Sequence, residues 1–452
     1  MRIIVVGCGK IGMTIVSSLV GEGHDVVAVD NDADVIDDVT NIYDAMGVNG
    51  NGADCDTLSE AGVDKAELFV AVTDSDEMNM LSCYIARKMG AKHTIARIRN
   101  PEYNAQSLGF MCQQLDLSMA INPEMLAARE LYNILKMPSA VNIETFSGRN
   151  FEMVELRLKP NSPIDGMTLS DVRKKYQAKF LICAVQCNDE MLIPDGDFIL
   201  KSGDKIALTA APNEIHKLLK MLGILQKQAR SVMILGASKT AYYLAKMLLA
   251  DGTSVRIIEK NRARCDEICS RLPNVTMICD DGAKQELLLE EGLHSVDAFV
   301  ALTGMDEENI LISIFAASQN VPKVIAKVNR SELAAMAENL GLESIISPQK
   351  IISNLLSRYA RALNNTLGNN VETLYKLMDG KAEALEFIVS PDFKHQMIKV
   401  KDMKFKKNIL IAGIIRKRKT IIPSGDDEFM SGDKVIVLAT GQQINDLYDI
   451  FE

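Results

Sequence analysis

Residues 2–12 read RIIVVGCGKIG, an apolar β-branched run that leads into three glycines with the spacing G-x-G-x-x-G. Such a run predicts a buried strand, and the glycine-rich turn predicts the start of a helix. An acidic residue, Asp30, ends the next predicted strand. The glycine pattern alone is weak evidence, but strand, turn, helix and acid together are the fingerprint of a dinucleotide-binding βαβ unit.

Each residue of this motif has a specific physical role. Gly7 allows the tight turn, Gly9 lets the backbone approach a pyrophosphate, and Gly12 lets helix and strand pack closely. The N-terminus of the following helix, predicted over residues 11–20, offers partial positive charge and free N–H groups to phosphates. Asp30 accepts hydrogen bonds from ribose hydroxyls, and its charge repels a 2′-phosphate. The sequence therefore favours NAD(H) over NADP(H).

The same pattern occurs a second time in the chain. Residues 2–12 correspond to residues 230–241 (RSVMILGASKTA), and residues 71–79 (AVTDSDEMN) correspond to residues 301–309 (ALTGMDEEN). A further pair of motifs follows each copy: IPDGD and SGDK at residues 193–205 correspond to IPSGD and SGDK at residues 422–434. The chain is therefore a tandem duplication of a two-domain unit, and we name its four domains A1, B1, A2 and B2.

The A units predict Rossmann-like, doubly wound parallel sheets, because short apolar strands alternate with amphipathic helices. In A1 we expect strands over residues 2–6, 25–29, 68–73 and 94–99, and helices over residues 11–20, 79–89 and 104–111. The B units predict small α+β domains, because alternating strands are broken by Asp-Gly and Ser-Gly-Asp turns. In B1 we expect strands over residues 152–158 and 205–210, and a helix over residues 212–222. The predicted domain ranges are 1–125, 140–225, 229–348 and 369–452.

Several polar residues fall at the predicted carboxyl edge of the A1 sheet, where ligands of open α/β sheets bind. Thr73 and Asp74 follow a strand there, and they either contact a ligand or cap the next helix. Arg97 lies on a later apolar strand, where it needs a phosphate or a carboxylate as partner. Asp54 lies either beside an adenine or in a plain turn.

The second copy keeps only part of this set. Glu259 preserves the acid of the second strand. In place of Gly9, Gly12, Asp74 and Arg97, the second copy has Ser238, Ala241, Gly304 and Lys327. Because a serine side chain stands where the backbone should approach the pyrophosphate, we expect weaker, different or absent nucleotide binding in A2.

Composition argues against several classes of function. The formal net charge is −10, Trp is absent and aromatic residues make up 5% of the chain, which argues against a nucleic-acid binder. Cys183/Cys187 and Cys265/Cys269 share a helical spacing, but no second ligand pair accompanies them, so we expect buried thiols and no metal site. No residue stands out as a catalytic acid or base, so the sequence predicts no enzyme.

Together these motifs resemble the TrkA family, the nucleotide-binding subunits of Trk-type potassium uptake systems. The resemblance rests on the A–B–A–B order, on GCGKIG with Asp30, on AVTDSDEMN, on IARIRNPEY at residues 95–103 and on the paired SGDK motifs. The A and B units resemble the N-terminal and C-terminal domains of regulators of potassium conductance (RCK domains). The resemblance implies a cytoplasmic protein, peripheral on the inner face of the cell membrane. Its RCK domains would self-assemble as dimers or tetramers into a ring that gates a membrane-embedded Trk potassium-transporting subunit.

By position, the resemblance implies one nucleotide site in each A domain. In A1 the site residues are Gly7, Cys8, Gly9, Lys10, Ile11, Asp30, Thr73, Asp74 and Arg97. In A2 they are Gly236, Ala237, Ser238, Lys239, Thr240 and Glu259. The expected cofactor is NAD(H), with ATP and ADP as open alternatives. The rival function is an NAD-dependent oxidoreductase, which requires a substrate domain unlike the Rossmann unit and a catalytic acid or base.

Overall fold

The structure is a computed structural model that describes the chain apart from residues 104, 147–150, 161, 177–178, 188–189, 366–370, 379–380, 418, 443 and 445. The described residues form two six-stranded and two five-stranded sheets. The six-stranded sheets are parallel and the five-stranded sheets antiparallel. The predicted fold class, two Rossmann-like domains that are each followed by a small α+β domain, is therefore confirmed. In this part of the chain no helix is long and apolar enough to cross a membrane.

The A1 domain begins with the predicted strand and glycine turn. Its strands are β1 (Arg2–Val6), β2 (Asp25–Asp30), β3 (Met46–Asn49), β4 (Leu68–Ala71), β5 (His93–Arg97) and β6 (Met119–Ile121). Its helices are α1 (Lys10–Gly21), α2 (Ala33–Ile42), α3 (Cys55–Glu60), α4 (Asp76–Met89) and α5 (Ala105–Gln114). The strand order β3-β2-β1-β4-β5-β6 places a topological switch point between β1 and β4, where open α/β sheets bind ligands.

Several element boundaries in A1 differ from the prediction. β4 ends at Ala71 rather than at residue 73, and α4 begins at Asp76 rather than at residue 79. The reason is Ser75, whose side chain accepts a hydrogen bond from the N–H of Met78 and so starts the helix early. β5 ends at Arg97, and the predicted helix over 104–111 begins at a residue outside the described part of the chain.

B1 follows A1 through a fourteen-residue helix, α6 (Pro123–Lys136). The B1 elements are β7 (Asn142–Phe146), β8 (Phe151–Arg157), α7 (Leu169–Lys175), β9 (Phe180–Cys187), β10 (Glu190–Leu192), β11 (Lys205–Ala210) and α8 (Pro212–Met221). Its sheet order is β10-β9-β11-β8-β7. The predicted strands and helix of B1 are thus present, with ends that shift by at most one residue.

The second half repeats this plan. The A2 strands are β12 (Ser231–Leu235), β13 (Ser254–Ile258), β14 (Thr276–Ile278), β15 (Ala298–Ala301), β16 (Lys323–Lys327) and β17 (Ser344–Ile346). The helices are α9 (Lys239–Ala250), α10 (Arg262–Arg271), α11 (Gln285–Glu290), α12 (Asp306–Ser318), α13 (Ser331–Asn339) and the connecting α14 (Pro348–Asn365). B2 contains β18 (Val371–Leu377), β19 (Ala382–Ile388), β20 (Ile409–Arg416), β21 (Lys419–Ile421) and β22 (Lys434–Thr440). The four predicted domain ranges themselves stay predictions.

The two connecting helices exchange partners. Leu131 and Leu135 of α6 are buried in the A2 core with Leu244 of α9, although α6 follows the A1 sheet in the chain. Conversely, Ile352 and Leu356 of α14 are buried in the A1 core. Each Rossmann sheet is therefore covered by a helix from the opposite half, and this exchange couples the positions of A1 and A2.

The B1 and B2 sheets pack against each other through one shared core. Phe151 of β8 is buried in that core with Leu438 of β22, and the Thr209 hydroxyl donates to the Ala412 carbonyl at 3.0 Å. A glycine is required opposite the Phe151 ring, because a Cβ at Gly413 would lie 2.4 Å from Cζ of that ring. The two halves of the chain are thus joined twice, by the exchanged helices between A1 and A2 and by the shared core between B1 and B2.

Candidate functional site

The glycine turn of A1 is packed so tightly that two of its positions accept no side chain. Gly7 has φ +88°, and a Cβ there would lie 2.7 Å from the backbone N of Thr73. A Cβ at Gly12 would lie 1.9 Å from the Gly7 carbonyl oxygen. These contacts hold the start of α1 directly above the ends of β1 and β4, as the dinucleotide fingerprint requires.

The second glycine of the motif, Gly9, faces open space instead. Gly9 precedes α1 with φ −62° and ψ −170°, and a Cβ there would have no atom within 4 Å. The helix begins at Lys10 and Ile11 without a side-chain cap. The N–H groups of its first turn are therefore available to an anion, and the helix dipole favours one.

Asp30 is oriented by the turn itself. Its Oδ2 accepts a hydrogen bond from the N–H of Cys8 at 2.6 Å, and its Oδ1 accepts one from the N–H of Asp32 at 3.0 Å. Burial, together with the Asp30 charge, raises the pKa of the Cys8 thiol to about 12. Cys8 therefore contributes its backbone N–H and its packing, because the thiol stays protonated at neutral pH.

A buried amide holds the far side of the site. Asn79 Oδ1 accepts hydrogen bonds from the Thr73 N–H at 2.8 Å and from the Thr73 hydroxyl at 2.7 Å. Its Nδ2 donates to the carbonyls of Thr73 and Arg97. Asn79 therefore ties the ends of β4 and β5 together under the glycine turn. Asn79 was not among the predicted site residues, although Asn309 occupies the same place in the repeat and makes the same bonds to Thr303.

The helix-cap interpretation of Thr73 and Asp74 is wrong, because Ser75 caps α4. Asp74 is fully exposed at the rim, with its Oδ1 4.0 Å from Nη2 of Arg99. Asp54 does cap a helix: its side chain accepts from the N–H of Thr57 at 2.9 Å and starts α3. The turn interpretation of Asp54 therefore describes its position better than an adenine contact.

Arg97 is buried at the end of β5 and faces a carboxylate. Its Nη2 lies 3.5 Å from Oε1 of Glu124, in the first turn of α6. Among the described residues, Nε of Arg97 and Oε2 of Glu124 are buried without a hydrogen-bond partner. Burial lowers the pKa of Arg97, although Glu124 opposes this shift. The pair is thus incompletely satisfied and keeps capacity for a further polar group.

A2 reproduces the turn and the acid. Gly236 has φ +92°, and Glu259 accepts hydrogen bonds from the N–H groups of Ala237 and Asn261, each at 2.8 Å. The Ser238 hydroxyl folds back to accept from the Ala241 N–H at 3.3 Å, so it caps α9. A carboxylate therefore braces the glycine turn in both halves.

A cavity of about 380 Å³ opens at this place in A2. It is lined by Gly236, Ala237, Ser238 and Glu259 together with Thr303, Gly304, Lys260 and Arg264. Of the other two predicted A2 residues, Lys239 is exposed and Thr240 is buried, and neither lines the cavity. The residues brought together in A2 therefore match the turn and the acid of A1.

The predicted buried thiols are confirmed for Cys183 and Cys265 and wrong for Cys269, which lies on the solvent side of α10. Cys187 is partly exposed. Burial raises the pKa of Cys265 to about 12. No group of three or more His, Cys, Asp or Glu side chains in the described residues is arranged to hold a metal ion.

Comparison with known proteins identifies related chains and folds. The TrkA-N domain family matches residues 3–123 and 232–348, and the TrkA-C domain family matches residues 153–223 and 398–452. A Trk system potassium uptake protein TrkA homolog from Archaeoglobus fulgidus is 31% identical, with all of both chains covered. The Trk system potassium uptake protein TrkA of Vibrio alginolyticus is 30% identical over all of this chain and 99% of its own.

Solved structures share the fold at low sequence identity. The GsuK RCK domain has a TM-score of 0.64 at 15% identity, covering 97% of this chain and 92% of its own. The GsuK channel bound to NAD has a TM-score of 0.63 at 15% identity, covering 97% and 77%. The matches to both family domains occur twice, in the order of the four sheets described above. The chain therefore belongs to the TrkA family, as a tandem pair of TrkA-N and TrkA-C domains.

Proposed function

We propose that this protein is the nucleotide-binding regulatory subunit of a Trk-type potassium uptake system, cytoplasmic and peripheral on the inner face of the cell membrane. The observation that carries the proposal is the exchange of α6 and α14 between two nucleotide-type domains. A ligand in either A domain lies near the connecting helix that follows this domain in the chain, and this helix packs in the core of the other A domain. The full-length relatives named as Trk uptake proteins support the assignment of the transported ion.

The proposed path from ligand to domain position begins at Arg97. NAD(H), or alternatively ATP or ADP, supplies phosphates and ribose hydroxyls when it is bound. The glycine turn and the first N–H groups of α1 hold the phosphates, while Asp30 holds the ribose. The guanidinium of Arg97 then faces phosphate on one side and Glu124 on the other. Because Glu124 lies in the first turn of α6, a change in this contact moves the helix that covers A2.

The start of α6 is also bonded across the two halves. Asn122, which caps α6, donates through Nδ2 to the Tyr243 hydroxyl on α9 at 3.0 Å. The same hydroxyl donates to the Arg99 carbonyl at 3.2 Å, beyond the end of β5. A1, α6 and A2 thus meet within one hydrogen-bonded group. A nucleotide that binds one arrangement of this group more tightly shifts the equilibrium toward it, with no hydride or phosphoryl transfer.

We also propose self-assembly into a dimer or tetramer ring through matching apolar surfaces. In A1, Leu81 of α4 and Phe110 of α5 are exposed. In A2, Leu311 of α12, Met336 of α13 and Leu340, which follows α13 directly, are exposed at the corresponding places. Because both halves present this surface at corresponding positions, a second copy of the chain can pack on it in a repeating, closed arrangement. Leu81→Glu combined with Leu311→Glu should then reduce the assembly to single chains in sedimentation velocity, whereas an unchanged sedimentation coefficient would contradict the proposed surface.

The central experiment measures binding and flux together. The full chain is titrated calorimetrically with NADH, NAD+, ATP and ADP, and Asp30→Ala is compared with Asp38→Ala, an exposed carboxylate of α2, as the control. We expect binding without turnover, weakened at least tenfold by Asp30→Ala and unchanged by Asp38→Ala. In vesicles that contain the membrane subunit, the bound nucleotide should change the potassium flux. Oxidation of NADH with any substrate, or a flux that ignores nucleotide, would contradict the proposal.

A further inference from the structure

The acid-bearing end of the nucleotide site has opposite charge in A1 and A2. In A1, residues 30–35 contain three carboxylates and no cation. In A2, residues 259–264 contain one carboxylate and three cations, Lys260, Arg262 and Arg264. The backbone is the same in both, since Asp30 and Glu259 make equivalent bonds to the glycine turn. The difference therefore lies in what the side chains present to a ligand.

Two of the A2 cations face the cavity and have no side-chain partner in the described part of the chain. Lys260 and Arg264 line it beside Glu259. Within the described residues, neither charged group has a hydrogen bond or ion pair with another side chain. Arg262 differs, because its Nε lies 3.3 Å from Oδ1 of Asp266 and it does not line the cavity.

The carboxylates at this end do not neutralise these cations directly. Both oxygens of Glu259 accept backbone N–H groups, from Ala237 and Asn261. Asp281, which also lines the cavity, accepts through Oδ1 from the N–H of Ala283 at 3.1 Å. The unpaired cations are therefore open to an anion that enters with the ligand, and charge-assisted bonds to phosphate are the strongest that they can form.

We propose that A2 binds an adenine nucleotide that carries a phosphate on its ribose, the class to which NADP(H) belongs. Lys260 and Arg264 recognise that phosphate, and Glu259 holds the remaining ribose hydroxyl. In Rossmann sites an arginine near the ribose accommodates a 2′-phosphate, whereas a carboxylate without such a neighbour rejects it. The inference rests on the proposed function in taking A2 as a nucleotide site, and it adds that A1 and A2 respond to different nucleotides.

The test isolates A2 in the full-length protein. Gly9→Glu places a carboxylate at the A1 phosphate site, where a Cβ would meet no atom within 4 Å, so we expect the fold to be kept and A1 to be blocked. This variant is titrated calorimetrically with NADP+ and NAD+. Adenosine 2′,5′-bisphosphate and adenosine 3′,5′-bisphosphate distinguish the position of the phosphate. We expect NADP+ to bind at least about tenfold more tightly than NAD+.

Matched variants assign the preference to residues. In the Gly9→Glu background, Arg264→Ala and Lys260→Ala should each weaken NADP+ binding by about tenfold and leave NAD+ binding within about twofold. Arg262→Ala, which removes a neighbouring cation outside the cavity, should change neither. Equal affinities for NADP+ and NAD+, or an equal effect of Arg262→Ala, would overturn the inference.

The outcomes separate this inference from the proposed function. If Gly9→Glu abolishes all nucleotide binding while the natural chain binds NAD+, then A2 is not a nucleotide site and the inference fails, but the proposed function of A1 stands. If the natural chain binds none of the nucleotides, the proposed function fails as well. If Ser238→Glu, the equivalent block in A2, removes NADP+ binding and keeps NAD+ binding, both are supported.

Discussion

A1 and A2 have the same backbone arrangement at the glycine turn but different side chains around it. This difference distinguishes the residues that the fold requires from those that a ligand requires. Both halves bond a carboxylate to the N–H that follows the first glycine of the turn, through Asp30 in A1 and Glu259 in A2. Both also bury an asparagine under the turn. These features are part of the structure of the sheet edge. The charged side chains around the carboxylate differ between the halves. Because the fold does not require them, they can differ according to the ligand that each half binds.

The same contrast applies to the exchanged helices. Arg361 of α14 is enclosed, with Nε 2.8 Å from Oε2 of Glu22 and two further bonds of 2.9 Å to the carboxylate of Glu383. The corresponding residue of α6 is Lys136, whose Nζ lies 3.1 Å from Oδ2 of Asp251 near the surface. The two helices are thus held by a buried charge network on A1 and by an exposed ion pair on A2.

Removal of Arg361 should have the largest effect. Arg361→Met removes the guanidinium that bonds the little-exposed carboxylates of Glu22 and Glu383, and we expect a loss of about 3–5 kcal/mol in the free energy of unfolding. Lys136→Met, at the corresponding position, should lose about 0–1 kcal/mol, because water can solvate the partly exposed Asp251 carboxylate when its partner is removed. Denaturant unfolding of the full chain at pH 7 measures both. Glu22→Gln with Glu383→Gln should restore part of the Arg361→Met loss, and equal losses for the two single variants would contradict the contrast.

The third glycine position should give the next largest effect. Gly12→Ala sets a Cβ 1.9 Å from the Gly7 carbonyl oxygen, so the backbone has to move, and we expect a loss of about 2–3 kcal/mol. A2 already has Ala241 there, and Ala241→Gly should cost about 1 kcal/mol from helix propensity. Thermal unfolding followed by circular dichroism measures both, with the unchanged chain as reference. A neutral Gly12→Ala would mean that the A1 turn relaxes as freely as that of A2.

The halves should also differ in their response to pH. Burial raises the pKa of Glu130 to about 8 and that of Glu144 to about 7, whereas the second half has Leu355 and Tyr375 at the corresponding positions. The folded chain then binds more protons than the unfolded chain above pH ~4.3, so stability decreases as pH rises toward 8. Glu144→Gln should stabilise by about 1–2 kcal/mol at pH 8 and have little effect at pH 5.

Melting temperatures at several pH values test this expectation. Glu60→Gln, an exposed acid on α3, is the control, and it should shift the melting temperature equally little at every pH. A Glu144→Gln effect that does not depend on pH would contradict a raised pKa. Arg358 opposes the shift at Glu144 through its charge. Arg358→Met should therefore enlarge the pH dependence.

The glycine turn, Asp30 and the parallel sheet were predictable because they depend on neighbours in sequence. A run such as residues 2–12 specifies strand, turn and helix locally, and β1 has the predicted ends. Because the same sequence pattern recurs in the second half, the same elements could be predicted for A2. The role of Asn79 was also within reach, since it recurs as Asn309 in the second copy, and a buried polar residue in a repeated position signals a structural bond.

The exchange of α6 and α14 was not predictable from the sequence. The pattern of an amphipathic helix shows that it has an apolar face, but not which sheet that face covers. The partner of Arg97 was left open for the same reason, because Glu124 lies on a helix whose place depends on the whole fold. The cap that the Ser238 hydroxyl forms on α9 was also not predicted, and the weaker, different or absent nucleotide binding expected of A2 stays a prediction.

The smallest expected effect therefore concerns Gly9 and Ser238. Gly9 has φ −62° and Ser238 has φ −71°, both in ordinary extended backbone, and a Cβ at Gly9 meets no atom within 4 Å. We expect Gly9→Ser and Ser238→Gly each to change stability by only a few tenths of a kcal/mol. Because the serine hydroxyl should cap α1 as it caps α9, Gly9→Ser should keep nucleotide affinity in A1 within about threefold by calorimetry. A loss of binding would mean that this serine alone disables A2, and the charges of Lys260 and Arg264 would then have no ligand to select.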